Sequence, residues 1–324
     1  MKPAFAISAD GIDVTRRLND RLVSLRLTDK PAMEADEVEI AVTDTDGKVI
    51  LPRRGAILRV AIGWDGSPLV DKGSFTVDEV THSGPPDVVT IRARAASFQG
   101  PLKEQREEAY DGLTLGDILT TIAGRNSLTP ALEAGLAAIP VEHIDQTNES
   151  DANFLTRLGQ DYDAVATIKD GHLVFIPAGH PLTVGGRALP PVVIRRNATD
   201  RHDFTIADRQ GSHTGVGANW RNLDTATTEV AVAGDDASLK TLKRVYPTER
   251  EAQAAAKAEM GRLNRGQHEI RLTLSVGRPE VIPNAPLVLT GWRPEIDGHK
   301  WVAGEITHTI DSGFTTDVSA QAVD

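Results

Sequence analysis

Glu79-Val80-Thr81-His82 and Glu305-Ile306-Thr307-His308 are near copies of one another, and their recurrence decides how the chain is built. Gly63-Trp64 precedes the first copy and Gly291-Trp292 the second, and each pair is followed by a turn containing glycine. The spacing from tryptophan to glutamate is 15 positions in one copy and 13 in the other, a difference that a turn absorbs. Upstream, Val38 to Val42 corresponds to Ile270 to Leu274. Short hairpins rich in strand-compatible residues can resemble one another without common architecture. The sharper reading is a duplicated β-domain, because internal repeats report architecture more directly than single motifs. The geometric consequence is that three such chains present six similar barrels, which lets a threefold assembly dock on a sixfold one.

Around the repeats, apolar residues recur at every second position, the period of a half-buried strand. Val38, Ile40 and Val42 do so, as do Leu58, Val60, Ile62 and Trp64, and Val89, Ile91, Ala93 and Ala95. Asp46-Gly47, Asp65-Gly66 and Gly84-Pro85-Pro86 supply turns between them. From about residue 110 the period becomes helical. Leu115, Ile118, Leu119 and Ile122 share one face, with Thr114 and Asp117 as N-cap and N3 and Gly124 as the stop. A second helix is expected from Ser150 to about Gly159, followed by a hairpin whose strands, Val165–Lys169 and His172–Ile176, flank Asp170-Gly171. Glycine and proline crowd Ala178 to Pro191, which marks a connection. Thr248 and Glu251 form a capping box for a helix at about 248–264, ended by Gly266, and Ile270, Leu272, Leu274 and Val276 return to strand alternation. The expected fold is mainly β with an α+β insertion. Residues 1–104 form a first barrel, 105–180 a small α+β domain, 181–200 a linker and 201–324 a second barrel carrying the helix.

Composition narrows the function classes. Among 324 residues, 46 acidic against 35 basic ones give a net charge of -11, which repels phosphate backbones and anionic lipid and disfavours sequence-wide nucleic-acid binding. Fourteen aromatic residues are too few for extended stacking platforms. The absence of cysteine excludes disulfides, thiolate nucleophiles and cysteine-based metal sites. The N-terminal segment lacks the apolar run of a signal peptide, and no window approaches the roughly 20 apolar residues of a membrane span. Synthesis and maturation in the cytoplasm are expected.

Reactive chemistry is sparse. The nine histidines form no His-Glu-x-x-His or His-x-His pattern, so neither a metal nor a cofactor is expected. His82 and His308 occupy equivalent repeat positions, where turn or strand-end hydrogen bonding outweighs a ligand role. Asp161 and Asp163 flank Tyr162 and could be imagined as the paired carboxylates of a sugar hydrolase, but their two-residue spacing argues for a solvated turn. No nucleophile elbow or phosphate-binding loop is present, and Gly211 to Gly217 reads as a flexible loop.

The ordered blocks resemble the late control D family, the tail baseplate hub proteins of contractile phages such as P2, related to the base of type-six secretion spikes. The resemblance rests on Asp36-Glu37-Val38-Glu39-Ile40, Asp44-Thr45-Asp46-Gly47, Pro52, Gly55, and Gly73-Ser74-Phe75-Thr76-Val77-Asp78-Glu79-Val80 leading into His82-Ser83-Gly84-Pro85-Pro86-Asp87. It continues in Thr114-Leu115-Gly116-Asp117-Ile118-Leu119, Asp145-Gln146-Thr147-Asn148-Glu149-Ser150-Asp151 and Phe154-Leu155-Thr156-Arg157-Leu158, and covers essentially the whole chain except that the segment 209–247 is not mapped. It implies a non-enzymatic homotrimeric hub, a pseudo-sixfold ring with the tail tube above and the central spike below. Tape measure and other baseplate proteins would be further partners. Such a hub is assembled in the host cytoplasm and then resides in the virion tail. The competing readings are a tail-associated cell-wall hydrolase, with catalytic residues between Tyr110 and Pro177, and the hub of a secretion spike. Trp64 and Trp292 at barrel ends, Arg92 and Arg94 from a basic cluster with Lys103 and Arg106, and the strand residues Ile270, Leu272 and Leu274 are the candidate interface.

Overall fold

The computed structural model describes residues 1–95, 101–169, 171–179, 187–207, 213–265 and 267–323. Asp170, residue 180, Gly211, Gly266 and residues 181–186 of the expected linker lie outside the described residues. The backbone is mainly β, dominated by a mixed sheet of 13 strands in which antiparallel pairs prevail.

Six strands of the N-terminal part lie in the spatial order Leu22–Asp29, Glu37–Thr43, Val88–Ala95, Val70–Ser83, Ile57–Trp64, Pro3–Ala9. Six of the C-terminal part follow the same order: Arg201–Ile206, His268–Leu274, Phe314–Ala322, Trp301–Ile310, Pro286–Thr290, Val192–Arg195. The last pair differs, since Pro3–Ala9 runs antiparallel to its neighbour and Val192–Arg195 parallel.

Ladder registers confirm the correspondence residue by residue. Val38 pairs with Ala93 and Ile270 with Ala320, while Val80 pairs with Ile91 and Ile306 with Val318. Each long hairpin strand carries a bulge at the start of the repeated motif, between Val77 and Glu79 in one copy and between Ala303 and Ile306 in the other. A bulge turns the strand locally, so the two copies bend at the same place.

The tryptophan equivalence does not hold in three dimensions. Leu58 sits opposite Phe75 and Leu287 opposite Trp301, and counting along the strands from these pairs sets Gly63, not Trp64, level with Trp292.

Alternation produced these strands because one face of each is apolar. Phe5, Ile7, Leu25, Leu27, Val38, Ile40, Val42, Val60, Ile62 and Ile91 fill the first core. Ile270, Leu272, Leu274, Leu287, Trp301, Ile306 and Val318 fill the second.

The middle unit is an antiparallel ribbon, Gln105–Thr114 against Pro140–Ser150, with helices Leu115–Arg125 and Asp151–Asp161 and the hairpin Ala164–Lys169 and His172–Pro177. Thr114 and Asp117 form the expected capping box. That helix runs past Gly124 to an Asn126 cap, because the Asn126 amide donates to the Ile122 carbonyl and to Asp151 while Ser127 takes the left-handed turn.

Asp151, fully buried, is the hub of a polar cluster. Arg125 donates to both its carboxylate oxygens at 2.6 and 2.9 Å, and Gln146 and Asn126 donate at 2.9 and 2.7 Å. Arg125 also meets Glu108 and the Tyr110 hydroxyl, whose pKa burial pushes up to about 12. The block Asp145 to Asp151 thus supplies a helix cap at Ser150 and the centre of a buried network.

Residues 215–265 form a further small unit inside the expected second barrel. Strands Gly215–Asn222, Thr227–Gly234 and Leu239–Tyr246 pack against helix Glu249–Arg265 through Val216, Ala218, Ala231, Ala233, Ala252, Ala255 and Ala256.

Replacing Asp151 by alanine leaves the Arg125 guanidinium partly buried without its main partner. The expected cost is about 3–5 kcal/mol, read as a lowered denaturant midpoint at unchanged slope.

Candidate assembly surface

The two β-units share one ladder. Strand Trp301–Ile310 pairs with Pro286–Thr290 through its first residues and with Leu22–Asp29 through its last, in the register Ile306–Asp29, Thr307–Thr28, His308–Leu27, Thr309–Arg26, Ile310–Leu25. The Thr28 and Thr307 hydroxyls lie 3.3 Å apart across this joint.

Behind the joint, Lys72 Nζ donates to Asp29 Oδ2 and to His308 Nε2, both at 2.9 Å, with all three side chains buried. Accepting from an ammonium requires a lone pair on Nε2, so the ring proton of neutral His308 sits on Nδ1 and is donated to Thr316 Oγ1 at 3.0 Å. Burial, reinforced by the Lys72 charge, lowers the His308 pKa to about 2.

Trp64 completes the seam. Its Nε1 donates to the Gly277 carbonyl of the second unit at 3.0 Å, and its ring packs 5.1 Å from that of Phe314.

The equivalent edges elsewhere in the chain are bare. Arg201–Ile206 pairs only with His268–Leu274, and Glu79–Ser83 pairs only with Val88–Ala95, among the described residues. Thr81, His82 and Thr205 are exposed, and Ile206 is 66% exposed, whereas their counterparts Thr307, His308, Thr28 and Asp29 are buried or half-buried. Neither edge carries lysine or proline, two residues that blunt strand edges against pairing.

The remaining candidates fall in three environments. Ile270, Leu272 and Leu274 are buried in the second unit's own core, so this strand face is covered from within and offers nothing to a partner. Trp292 is buried in the same core. Arg92 and Arg94 are exposed on the polar face of the first unit but already matched. Arg92 pairs with Glu39 and Glu79, and Arg94 with Asp78 and Glu37. With Arg26 and Lys30 they line one shallow, open depression of mixed charge. Arg106 belongs to the middle unit, 3.8 Å from Asp151, and does not extend this patch.

Asp161 and Asp163 are not a solvated turn. Asp161 accepts from Arg244 at 2.5 Å and Asp163 pairs with Arg265, which ties the middle unit to the inserted one. Burial raises the Asp161 pKa against the opposing pull of Arg244. Sequence reasoning missed these arginines because they lie 83 and 102 positions away. His82 lies 3.6 Å from Asp44 at the strand end. Among the described residues no group of three or more ligating side chains could hold a metal, and no helix is long and apolar enough to cross a membrane.

The two halves thus repeat one strand order, and among the described residues an edge of each is left open. The chain superimposes on the tail protein of Neisseria meningitidis MC58 with a TM-score of 0.73 at 14% identity, covering 99% of this chain and 97% of that one. The sequence pattern of the phage tail baseplate hub (GPD) family matches residues 37–313, and the chain belongs to that family. It is 39% identical to the probable baseplate hub protein of Escherichia phage 186, covering 98% of this chain and 92% of that protein. It is 38% identical to that of Escherichia phage P2, covering 99% and 93%. The function is that of a baseplate hub in a phage tail.

Two predictions follow from the seam. His308 stays neutral in the folded protein while the unfolded chain takes up a proton near pH 6.5. Its contribution is therefore complete above that pH and declines as pH falls toward about 2, by at most about 1.4 kcal/mol per pH unit. Denaturation at pH 6.5 and pH 4 should show this slope in the wild type and a shallower one in His308→Gln. At Gly277, an added methyl would collide with the Phe314 ring, so Gly277→Ala should cost about 1–3 kcal/mol by overpacking, measured by thermal denaturation.

Proposed function

We propose that three copies of this hub close into a ring of six similar barrel units, which adapts the threefold central spike to the sixfold tail tube. The observation that carries this reading is the repetition of one six-strand order in both halves of the chain. Two quasi-equivalent units per chain give three chains six equivalent positions around an axis, so one face can meet a sixfold partner while the whole retains threefold symmetry. The partners are further copies of the chain, the spike protein and the tail tube protein, with the tape measure and other baseplate proteins as neighbours. Assembly takes place in the host cytoplasm.

The hub works through interfaces and not through bond chemistry. Supporting this, the carboxylates that a hydrolase reading would use are neutralised by guanidinium partners: Asp161 by Arg244, Asp163 by Arg265. A glycosidase needs one carboxyl group free to give a proton and another free to attack or to activate water.

Light scattering over two decades of concentration, alone and with the spike protein added, tests the ring. A mass near three times 34.8 kDa alone, or that mass plus the bound spike's once the spike is added, is expected. A monomer in both overturns the proposal.

A further inference from the structure

The joint inside the chain is a template for a second joint whose two halves are both present and, among the described residues, both unpaired. Because Val38 is equivalent to Ile270 and Val80 to Ile306, the ladder registers carry every residue of the internal joint onto a residue of the bare edges. Leu27 lies opposite Val38 and Phe204 opposite Ile270, so Leu27 maps to Phe204, Thr28 to Thr205 and Asp29 to Ile206. On the other side Ile306, Thr307 and His308 map to Val80, Thr81 and His82.

We propose, resting on the ring reading above, that strand Arg201–Ile206 of one copy pairs antiparallel with Glu79–Ser83 of the next. The register sets Ile206 against Val80, Thr205 against Thr81, Phe204 against His82 and Asp203 against Ser83.

Three observations support this occupant. The threonine pair that touches at 3.3 Å in the internal joint is matched by threonines at both equivalent positions of the open one, Thr81 and Thr205. Ile206, an exposed isoleucine at a strand edge, falls opposite Val80, so pairing covers an apolar side chain that the single chain leaves in water. The two bare edges are also not paired with each other among the described residues. Seven strand-to-strand steps separate them across the sheet, about 34 Å at roughly 4.8 Å per step. A heterologous joint of this kind passes from copy to copy and closes as a ring when the rotation allows.

The chemistry of the second joint differs from that of the first. Asp29, with its Lys72 and His308 partners, is replaced by Ile206, so the contact between chains buries apolar surface and backbone hydrogen bonds without a buried charge cluster.

The chain has no cysteine, so Thr81→Cys with Thr205→Cys introduces its only thiols. Mild oxidation of the purified double variant, alone and with the spike protein, should give a covalent ladder that ends at the trimer on a denaturing gel and collapses to monomer on reduction. Thr81→Cys with Asp203→Cys is two residues out of register and should cross-link at least tenfold more slowly. Equal rates in both registers overturn the proposed pairing. If the wild type is trimeric by light scattering and the reactive thiols of the double variant fail to cross-link, the joint is wrong and the ring reading stands. If the wild type stays monomeric with spike present and no cross-link forms, both fall.

Discussion

The antiparallel pairing of Leu22–Asp29 with Trp301–Ile310 is the constraint on which the rest of the molecule depends. It joins residues nearly the whole chain apart, Thr28 to Thr307, and converts two separately cored β-units into one continuous sheet. Closing so long a loop costs chain entropy, though that cost grows only slowly with length. Five residue pairs of ladder and the Trp64 contact with Gly277 and Phe314 offset it, while the buried Lys72–Asp29–His308 cluster fixes the register of the joint. Within the cluster, removing Lys72 or Asp29 leaves the other's charge buried without its partner, whereas His308 is neutral and orients the ammonium. The relative orientation of the two units is fixed by ladder geometry and bulge position, not by a flexible tether.

The two smaller units are placed so that they leave this arrangement undisturbed. The middle unit occupies the connection between the last strand of the first half and the first strand of the second. The three-stranded unit occupies the connection between Arg201–Ile206 and His268–Leu274. Both insertions sit between strands and interrupt none. They pack on each other through Asp161–Arg244, Asp163–Arg265 and Glu142–Arg250, so an ionic interface links the two excursions of the chain. Two of these pairs are partly buried and Glu142–Arg250 is exposed, which makes them registration devices more than large sources of stability.

Periodicity made the β-units, the capped helices and the repeat legible, because strand alternation and N-cap chemistry are local. What periodicity cannot report is what covers an apolar face. Ile270, Leu272 and Leu274 read equally well as core and as interface, and the structure covers them from within their own unit. The segment 209–247 stayed opaque because much of its core is alanine and glycine, Gly217, Ala218, Ala231 and Ala233, residues with weak strand preference. The Gly-Trp repeat misled by one position: Trp64 is the last residue of the strand Ile57–Trp64 whereas Trp292 lies past the end of Pro286–Thr290, and a matching dipeptide does not report where a strand stops. Asp161 and Asp163 looked like a wet turn because both arginine partners are distant in sequence.

The two kinds of joint explain why a duplicated chain is useful at all. A contact inside one chain forms at a high effective concentration, so it can carry a buried ion cluster whose desolvation would weaken a contact between separate molecules. The joint proposed between chains has no such advantage and relies on edge hydrogen bonds, a threonine pair and an isoleucine that is exposed until pairing. In the proposed ring, fusing two units into one chain leaves three joints to be made in solution where six separate units would need six. It also makes adjacent positions in the proposed ring chemically different, the asymmetry that the proposed threefold partner on one side requires.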